Sequence, residues 1–281
     1  MSEATTAGSG LAGRAGDAVE AIGRRGHDTF AFVGSLAWLG YDVGRWMVRS
    51  IVLRQVRFGR DALVTQTVRV GVRSIPIVVL VSSSIGMILA LQTAPSLADF
   101  GQTDKVANLV AVAVLRELGP LIAAIVLTGF AGASIAAELG TMVVGEEIEA
   151  LDSMALDPVR FLVVPRVLAT TLSLLLLAVI SDVAAVVAGG LVGVFFLDIA
   201  ADVYIKNTLD QVKNVDFLTG LAKAGVFGAL LGLIACRNGL SVSGGAAGVG
   251  KATTDTVVNT VIVVVLADLL FTAVFYAIGL N

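Results

Sequence analysis

The stretch Leu115–Arg166, LRELGPLIAAIVLTGFAGASIAAELGTMVVGEEIEALDSMALDPVRFLVVPR, decides the fold of this chain. Within it the charged pair Arg116 and Glu117 leads into an apolar run that reaches Glu138. An acidic segment follows, stops at Pro158 and passes into a second apolar run. Apolar runs of about 20 residues cross a bilayer as helices. The stretch therefore predicts two membrane spans joined by a short cytosolic helix.

The composition of the whole chain is also that of a membrane protein. Of its 281 residues, 57% are hydrophobic and 15% are charged, and the mean hydropathy of +0.92 is typical of a polytopic helical membrane protein. We expect an all-α fold with a single domain over residues 29–281 and a flexible cytosolic tail over residues 1–28. One cysteine, Cys236, and one histidine, His27, argue against an internal disulfide or a metal site. We expect no nucleic-acid partner.

Apolar runs predict five membrane spans, at about residues 75–97, 106–139, 159–197, 217–238 and 257–280. The second run is too long for a hydrocarbon core of about 30 Å, so it must tilt, protrude or bend at Gly119 and Pro120. The third run is long enough to suggest a hairpin, but its second arm would reach only about 22 Å. We therefore expect one long helix there.

A different pattern precedes the spans. Apolar residues recur at three- and four-residue steps from Phe32 to Met47, and both tryptophans, Trp38 and Trp46, fall in this stretch. The pattern predicts an amphipathic helix over about residues 30–60. Such a helix lies in the membrane interface or packs on the cytosolic face of the protein itself.

Lysine and arginine indicate the orientation of the chain. Ten of the 19 precede Ile75, whereas the loops 95–105 and 198–216 hold three lysines against six aspartates. Cytosolic loops carry the excess of positive charge. The N-terminus is therefore predicted to be cytosolic, and an odd number of spans puts the C-terminus outside.

Glycine has two predicted roles. Pairs of small residues let spans approach closely, and the candidates are Gly129 with Gly132, Gly189 with Gly193, and Gly228 with Gly232. The segment Gly245–Lys251 matches the start of a P-loop, but Ala252 stands where the magnesium-binding Ser or Thr belongs. We expect a flexible turn there instead, with Thr253, Thr254 or Asp255 as the helix cap.

Charges inside the predicted spans are the first candidates for a functional site. Each costs at least ~2.5 kcal/mol at a helix centre unless it is paired or hydrated. The candidates for a buried polar or gating role are Arg116, Glu117, Glu138 and Lys223, and Asp182 and Asp268 are further charges within the predicted spans. Arg116 and Glu117 point about 100° apart on a helix, so they need not pair with each other. Both a satisfied network that fixes helix register and a role in gating or headgroup contact fit these residues.

The acidic segment Gly145–Pro158 is the second candidate. Ile148, Leu151 and Met154 form one apolar stripe along a helix. Acidic side chains cover the other faces, at Glu146, Glu147, Glu149 and Asp152. A helix in the cytosol buries such a stripe against something. The partner is either the predicted interfacial helix of the same chain or another protein.

Five motifs in one continuous order carry a resemblance to a known family. They are RELGP at 116–120, AAELGTM at 136–142, EEIEAL at 146–151, DPVRFLVVPRVLA at 157–169 and the glycine-rich stretch from Phe227 to Thr254. Over about Ile75 to Tyr276 the chain resembles the MlaE/YrbE permeases, the membrane subunits of ABC transporters that move lipids with MCE-domain proteins. One position departs from the pattern, since Phe130 stands where many members have arginine.

The resemblance implies a set of partners and a location. It implies a second permease copy or a paralogue, a cytosolic ABC ATPase pair that binds ATP and magnesium, an MCE-domain protein on the periplasmic side, and the bacterial inner membrane. The acidic helix would be the coupling helix, with ATPase-coupling residues Glu146, Glu147, Ile148, Glu149, Leu151, Asp152 and Met154. The chain itself would be a non-enzymatic permease without a cofactor.

Two other functions are compatible with a polytopic membrane protein. An ion-coupled secondary transporter predicts broken spans in two repeats, and no repeat is visible in the sequence. A passive membrane anchor for an MCE-protein complex has no need of an acidic docking helix. For a lipid transporter, the sequence is compatible with phospholipid, fatty acid or sterol, with either direction of transport, and with a homodimer or a heterodimer.

Overall fold

The computed structural model describes His27, residues 30–49 and residues 60–279. Within them the chain is helical, and five helices are long and apolar enough to cross a membrane. We number them spans 1 to 5: Leu63–Ala98, Thr103–Val144, Val159–Phe196, Asn214–Leu240 and Gly245–Ile278. The all-α fold and the number of spans are confirmed. The predicted tail over residues 1–28 lies outside the described residues except for His27.

Span 1 begins well before the predicted residue 75. The helix Arg60–Val70 passes through a 3-10 turn, Val72–Ser74, into the helix Ile75–Ala98. Ser74 lies at this junction and donates a 2.7 Å hydrogen bond to the carbonyl oxygen of Val70. The sequence-based boundary was late because polar residues precede the apolar run without interrupting the helix.

Span 2 is one helix with two π turns. Its α-helical segments are Val106–Ala113, Gly119–Leu127 and Ala133–Val144, and the π turns are Val114–Leu118 and Thr128–Gly132. The first π turn directly precedes Gly119 and Pro120, where a bend was one of the three expectations. Pro120 follows this turn in the opening residues of the next helical segment, where the absence of an N–H costs little.

Span 3 is a single long helix, as predicted, with a π turn, Val159–Val163, leading into Val164–Phe196. The loop after it contains a helix, Ala201–Gln211, which the sequence did not predict. Tyr204 of this helix is buried against span 3, where a Cβ on Gly193 would lie 2.9 Å from its ring. Burial raises the pKa of Tyr204 to about 12, so that the phenol is neutral at physiological pH.

Span 5 corrects one prediction. The helix begins at Gly245, directly after Gly244, whose φ of 85° suits glycine. The flexible turn predicted before residue 257 was therefore wrong, and Thr253, Thr254 and Asp255 lie inside the helix rather than at its cap. The Thr253 hydroxyl donates to the carbonyl oxygen of Gly250 one turn back, at 2.6 Å.

Span 3 lies at the centre of the bundle and packs against spans 1, 2 and 4. The core between these helices holds fully buried apolar side chains, among them Leu127, Leu139, Leu174, Phe227 and Leu231. Span 5 is the least covered span. Only 6% of its most apolar stretch is buried, compared with 50% in span 4.

Close packing at glycine is confirmed for two of the three predicted pairs. A Cβ on Gly228 would lie 2.7 Å from the Cα of Thr171, and one on Gly189 would lie 3.1 Å from the carbonyl oxygen of Gly86. Gly129 faces open space, so the prediction was wrong there. Another close approach between backbones involves an unpredicted position, since a Cβ on Gly86 would lie 2.0 Å from the Ala185 carbonyl oxygen.

The amphipathic helix is described over residues 30–49. Its apolar stripe faces the protein, with Val43 buried and Leu39, Trp46 and Met47 packed against the core. The opposite face exposes further apolar side chains, at Phe30, Val33, Trp38, Tyr41 and Val48. The helix therefore packs on the bundle and also presents an apolar surface outward. The remainder of the predicted segment, residues 50–59, lies outside the described residues.

Candidate functional site

A network of charged side chains around the buried Lys223 lies where spans 2, 4 and 5 meet. Lys223, whose side chain is 1% exposed, donates to a carboxylate oxygen of Glu117 at 2.5 Å and to one of Asp268 at 2.9 Å. The Thr272 hydroxyl lies 2.9 Å from the Lys223 ammonium and 2.9 Å from the second Glu117 oxygen. An unpaired charge in an apolar bundle is costly, so these contacts stabilise the register of the three helices.

Arg116, the neighbour of Glu117, has a different partner. Its guanidinium forms an ion pair with Asp216 at the start of span 4. Asp216 is also buried, and its second oxygen accepts a 2.9 Å hydrogen bond from the backbone N–H of Lys213. Both Arg116 and Glu117 lie in the first π turn of span 2. Adjacent charges thus contact two different places on span 4.

Glu138 belongs to a second cluster. One oxygen accepts from Arg69 at 3.0 Å, and the other pairs with Arg166 at 3.2 Å, so that spans 1, 2 and 3 are joined. Glu138 follows Glu117 by 21 residues, which is about 30 Å along a helix. The structure therefore brings Arg116, Glu117 and Lys223 together and places Glu138 near the other end of the bundle.

Two buried acids complete the description. Asp216 lies in the predicted loop, and its carboxylate accepts from the backbone N–H of Lys213 at the start of span 4. The sequence carries no helix-start signal there, because lysine is not a capping residue. Asp182 of span 3 is buried against Gly119, and its Oδ1 atom has no hydrogen-bond partner in the described part of the chain. No three His, Cys, Asp or Glu side chains form a metal-binding group among the described residues.

The acidic segment forms a short helix, Glu147–Ser153, outside the membrane-spanning helices. None of its side chains is buried. Ile148 and Leu151 of the apolar stripe are half-buried, and Met154 just beyond the helix is 61% exposed. The acidic side chains, Glu146, Glu147, Glu149 and Asp152, are all exposed. The helix thus presents an apolar stripe bordered by negative charge.

The amphipathic helix contacts the end of this segment. Trp46 donates from its indole nitrogen to a carboxylate oxygen of Asp157 at 3.2 Å. The Arg160 guanidinium lies 5.5 Å from the centre of the Trp46 ring, a cation–π distance. The described part of the chain therefore leaves the stripe partly uncovered.

The segment that resembles a P-loop has helical backbone. A P-loop wraps its backbone N–H groups around phosphates, whereas residues from Gly245 onward are in helix and Lys251 is exposed on its surface. A cavity of about 180 Å³ lies beside it, lined among others by Arg237, Asn238 and Asp255. The backbone geometry does not fit nucleotide binding of the P-loop kind.

Five apolar helices, charged side chains paired between them and an exposed acidic helix between spans 2 and 3 define a multi-pass helical membrane protein. Residues 63–274 match the family described as Permease MlaE, and the chain belongs to this family.

Named relatives cover most of the chain. A probable ABC transporter permease protein of Rickettsia felis is 34% identical over 92% of this chain and 97% of its own length. The intermembrane phospholipid transport system permease protein MlaE of Haemophilus influenzae is 32% identical over 93% of this chain and 98% of its own length. The chloroplast protein TRIGALACTOSYLDIACYLGLYCEROL 1 of Arabidopsis thaliana is 31% identical over 75% of this chain and 60% of its own length.

Proposed function

We propose that this chain is the permease subunit of an ATP-driven phospholipid transporter in the bacterial inner membrane. The observation that carries the proposal is the exposed helix Glu147–Ser153 with its partly uncovered stripe. Membership of the MlaE family and the phospholipid named for the Haemophilus influenzae relative support the substrate class. The N-terminus is cytosolic and the C-terminus periplasmic, in accordance with the distribution of lysine and arginine.

Energy enters through the acidic helix. A groove on a cytosolic ABC ATPase pair covers the Ile148 and Leu151 stripe, and basic side chains at its rim pair with Glu147 and Glu149. ATP and magnesium bind to the ATPase, and the permease contributes no cofactor or enzymatic site. Because the acidic helix joins spans 2 and 3 directly, closure of the ATPase pair moves these two spans relative to their neighbours.

A second copy or a paralogue completes the lipid pathway. Span 5 supplies an exposed apolar surface for this contact. The two permeases enclose a lipid-sized apolar cavity lined by spans 1, 2, 3 and 5, and residues 29–281 act as one domain. An MCE-domain protein receives or delivers lipid at the periplasmic end, where the helix Ala201–Gln211 lies.

The buried network around Lys223 is the gating element in this mechanism. It ties span 5 to spans 2 and 4 through Glu117 and Asp268. Span 2 also carries Arg116 in the same π turn. Rotation of span 2 by the acidic helix would alter both sets of contacts together and so open or close the cavity.

The test is ATP-dependent lipid transfer by the assembled complex in proteoliposomes. Glu147→Lys with Glu149→Lys should abolish binding of the ATPase and ATP-dependent transfer. The matched control is Asp202→Lys with Asp210→Lys on the helix Ala201–Gln211, which should leave ATPase binding unchanged. Equal ATPase binding by the two double variants would contradict the assigned role of the acidic helix.

Two further results would favour the other functions. Transfer driven by an ion gradient without ATP would indicate a secondary transporter. Unchanged transfer with an ATPase whose catalytic site is inactivated would indicate a passive anchor. ATP hydrolysis by the purified chain alone would contradict the assignment of the energy source to a partner.

A further inference from the structure

A small cavity opens on the side of the bundle between the beginning of span 1 and the second π turn of span 2. Its volume is about 110 Å³, and the residues that carry its chemistry are Gln66, Arg69, Arg73, Phe130, Ser134 and Glu138. Phe130 is 46% exposed and the Arg69 side chain is 43% exposed, so the cavity is accessible from outside the bundle. π turns often occur at functional sites because they displace backbone from the regular helix.

The charges at this cavity do not balance. Arg69 and Arg166 both pair with the single carboxylate of Glu138, at 3.0 Å and 3.2 Å. Arg73 also lines the cavity, and it forms no ion pair with any residue that the structure describes. Two guanidinium groups, Arg69 and Arg73, thus line the cavity beside one carboxylate, and Arg166 neutralises that carboxylate from outside the lining. A surplus of guanidinium groups favours an oxyanion, phosphate above all, because the planar donors match its geometry.

The cavity also contains an unused acceptor. The Oε1 atom of Gln66 is buried and has no hydrogen-bond partner in the described part of the chain. A buried acceptor without a donor is destabilising, so a bound group that donates a hydrogen bond would satisfy it. The complementary ligand therefore carries both an anionic phosphate and a hydrogen-bond donor.

The position of the cavity along the bundle indicates the source of this ligand. Glu138 lies six residues before the end of span 2 at Val144, which is about 9 Å along the helix. Span 2 has 42 residues and is about 63 Å long, so its ends extend past a hydrocarbon core of about 30 Å to the level of the lipid headgroups. Phe130 adds apolar surface beside the two span 1 arginines.

We infer that this cavity binds the headgroup of a phospholipid from the leaflet on the side of the acidic helix, an inference that rests on the proposed lipid function. Arg69 and Arg73 bind the phosphate. Gln66 accepts a hydrogen bond from the ammonium or hydroxyl group of the headgroup. The first acyl carbons contact Phe130, so the lipid occupies the site from the side of the bundle.

The experiment measures lipid binding to the purified full-length chain by native mass spectrometry. Palmitoyl-oleoyl-phosphatidylethanolamine is titrated against the wild type, Arg73→Gln and Ser134→Leu. Arg73→Gln removes an exposed charge that no described partner needs, and Ser134→Leu fills the cavity without changing charge. Each variant should weaken the binding of one lipid per chain by about ten-fold. Arg73→Gln loses a charge-assisted contact with the phosphate, and Ser134→Leu loses the space that the headgroup occupies. Lys105→Gln, at the opposite end of span 2, is the matched control and should bind as the wild type does.

Two additional ligands separate the possible sources of phosphate. Dipalmitoyl-glycerol, which lacks a phosphate, should not compete. Inorganic phosphate should compete only at concentrations at least 100-fold above the lipid, because anchoring in a bilayer or micelle raises the effective concentration of the lipid headgroup by about that factor. Equal competition by inorganic phosphate would overturn the lipid assignment. Wild-type affinity in either Arg73→Gln or Ser134→Leu would overturn the site. Because ATP-dependent transfer by the wild-type complex is measured separately, that failure would leave the proposed function standing.

Discussion

Lys223 places its ammonium group 2.5 Å from Glu117 and 2.9 Å from Asp268, between three spans. Replacement by Met would keep the volume but leave two acidic side chains without their cation. Breaking a buried pair in this way costs about 3–5 kcal/mol, and the lower end applies because Glu117 is partly exposed. We predict that Lys223→Met lowers the free energy of unfolding in detergent micelles by about 3 kcal/mol.

A compensated variant tests the reason for this loss. The triple variant with Lys223→Met, Glu117→Gln and Asp268→Asn removes all three charges and should recover most of the stability. Lys206→Met, an exposed position on the helix Ala201–Gln211, should have no effect. A triple variant as unstable as Lys223→Met would indicate that packing, rather than charge pairing, dominates at this position.

The spans depend on glycine where two backbones touch. A Cβ on Gly86 would lie 2.0 Å from the carbonyl oxygen of Ala185, so spans 1 and 3 must separate to accept Gly86→Ala. We predict a lower midpoint of thermal unfolding and a smaller folded yield for this variant. Gly129→Ala is the matched control, because no atom lies within 4 Å of its Cβ and alanine is the better helix former by about 1 kcal/mol. Equal midpoints for the two variants would contradict the close packing of spans 1 and 3.

At the scale of elements, the sequence predicted a helix correctly where the length and apolar pattern of one segment were sufficient. The third apolar run predicted one long helix because a second arm could not cross the membrane, and the structure has that helix. The helix Ala201–Gln211 was missed because its stability depends on Tyr204 packing against glycines of span 3. The start of span 5 was missed because Gly245, Gly248 and Gly250 resemble a loop.

The residues of the candidate sites were also predictable where their own segment identified them, and not where the fold alone brings them together. Arg116 and Glu117 were identifiable because charges are rare within an apolar run. Asp216, the partner of Arg116, was not identified, since it precedes the predicted span 217–238 and the pairing requires two helices to lie side by side. The acidic helix was predicted in place, but only the structure shows that the amphipathic helix contacts Asp157 and leaves the stripe partly uncovered.

For the whole molecule, the two charged clusters divide the bundle along its length. The cluster around Glu117 and the cluster around Glu138 lie about 30 Å apart on span 2, with fully buried Ala124 and Leu127 between them. Such an arrangement fixes the helices at two levels and leaves an apolar segment between them. A displacement of the acidic helix therefore reaches the Glu117 cluster through one continuous helix, which is the coupling that the proposed mechanism needs.

Span 5 is where a second copy is expected to contact the bundle. Its inner face is held through Asp268, while its outer face exposes Leu266 and Leu269 at 60% and 67%.

The only cysteine of the chain, Cys236, is buried, so a cysteine introduced on the surface is the thiol that an oxidant can reach. We predict that Leu269→Cys, oxidised in membranes with copper phenanthroline, forms a disulfide-linked dimer on a non-reducing gel. Leu176→Cys, at an equally exposed position of span 3, should remain monomeric. Cross-linking at Leu176→Cys but not at Leu269→Cys would move the expected interface from span 5 to span 3.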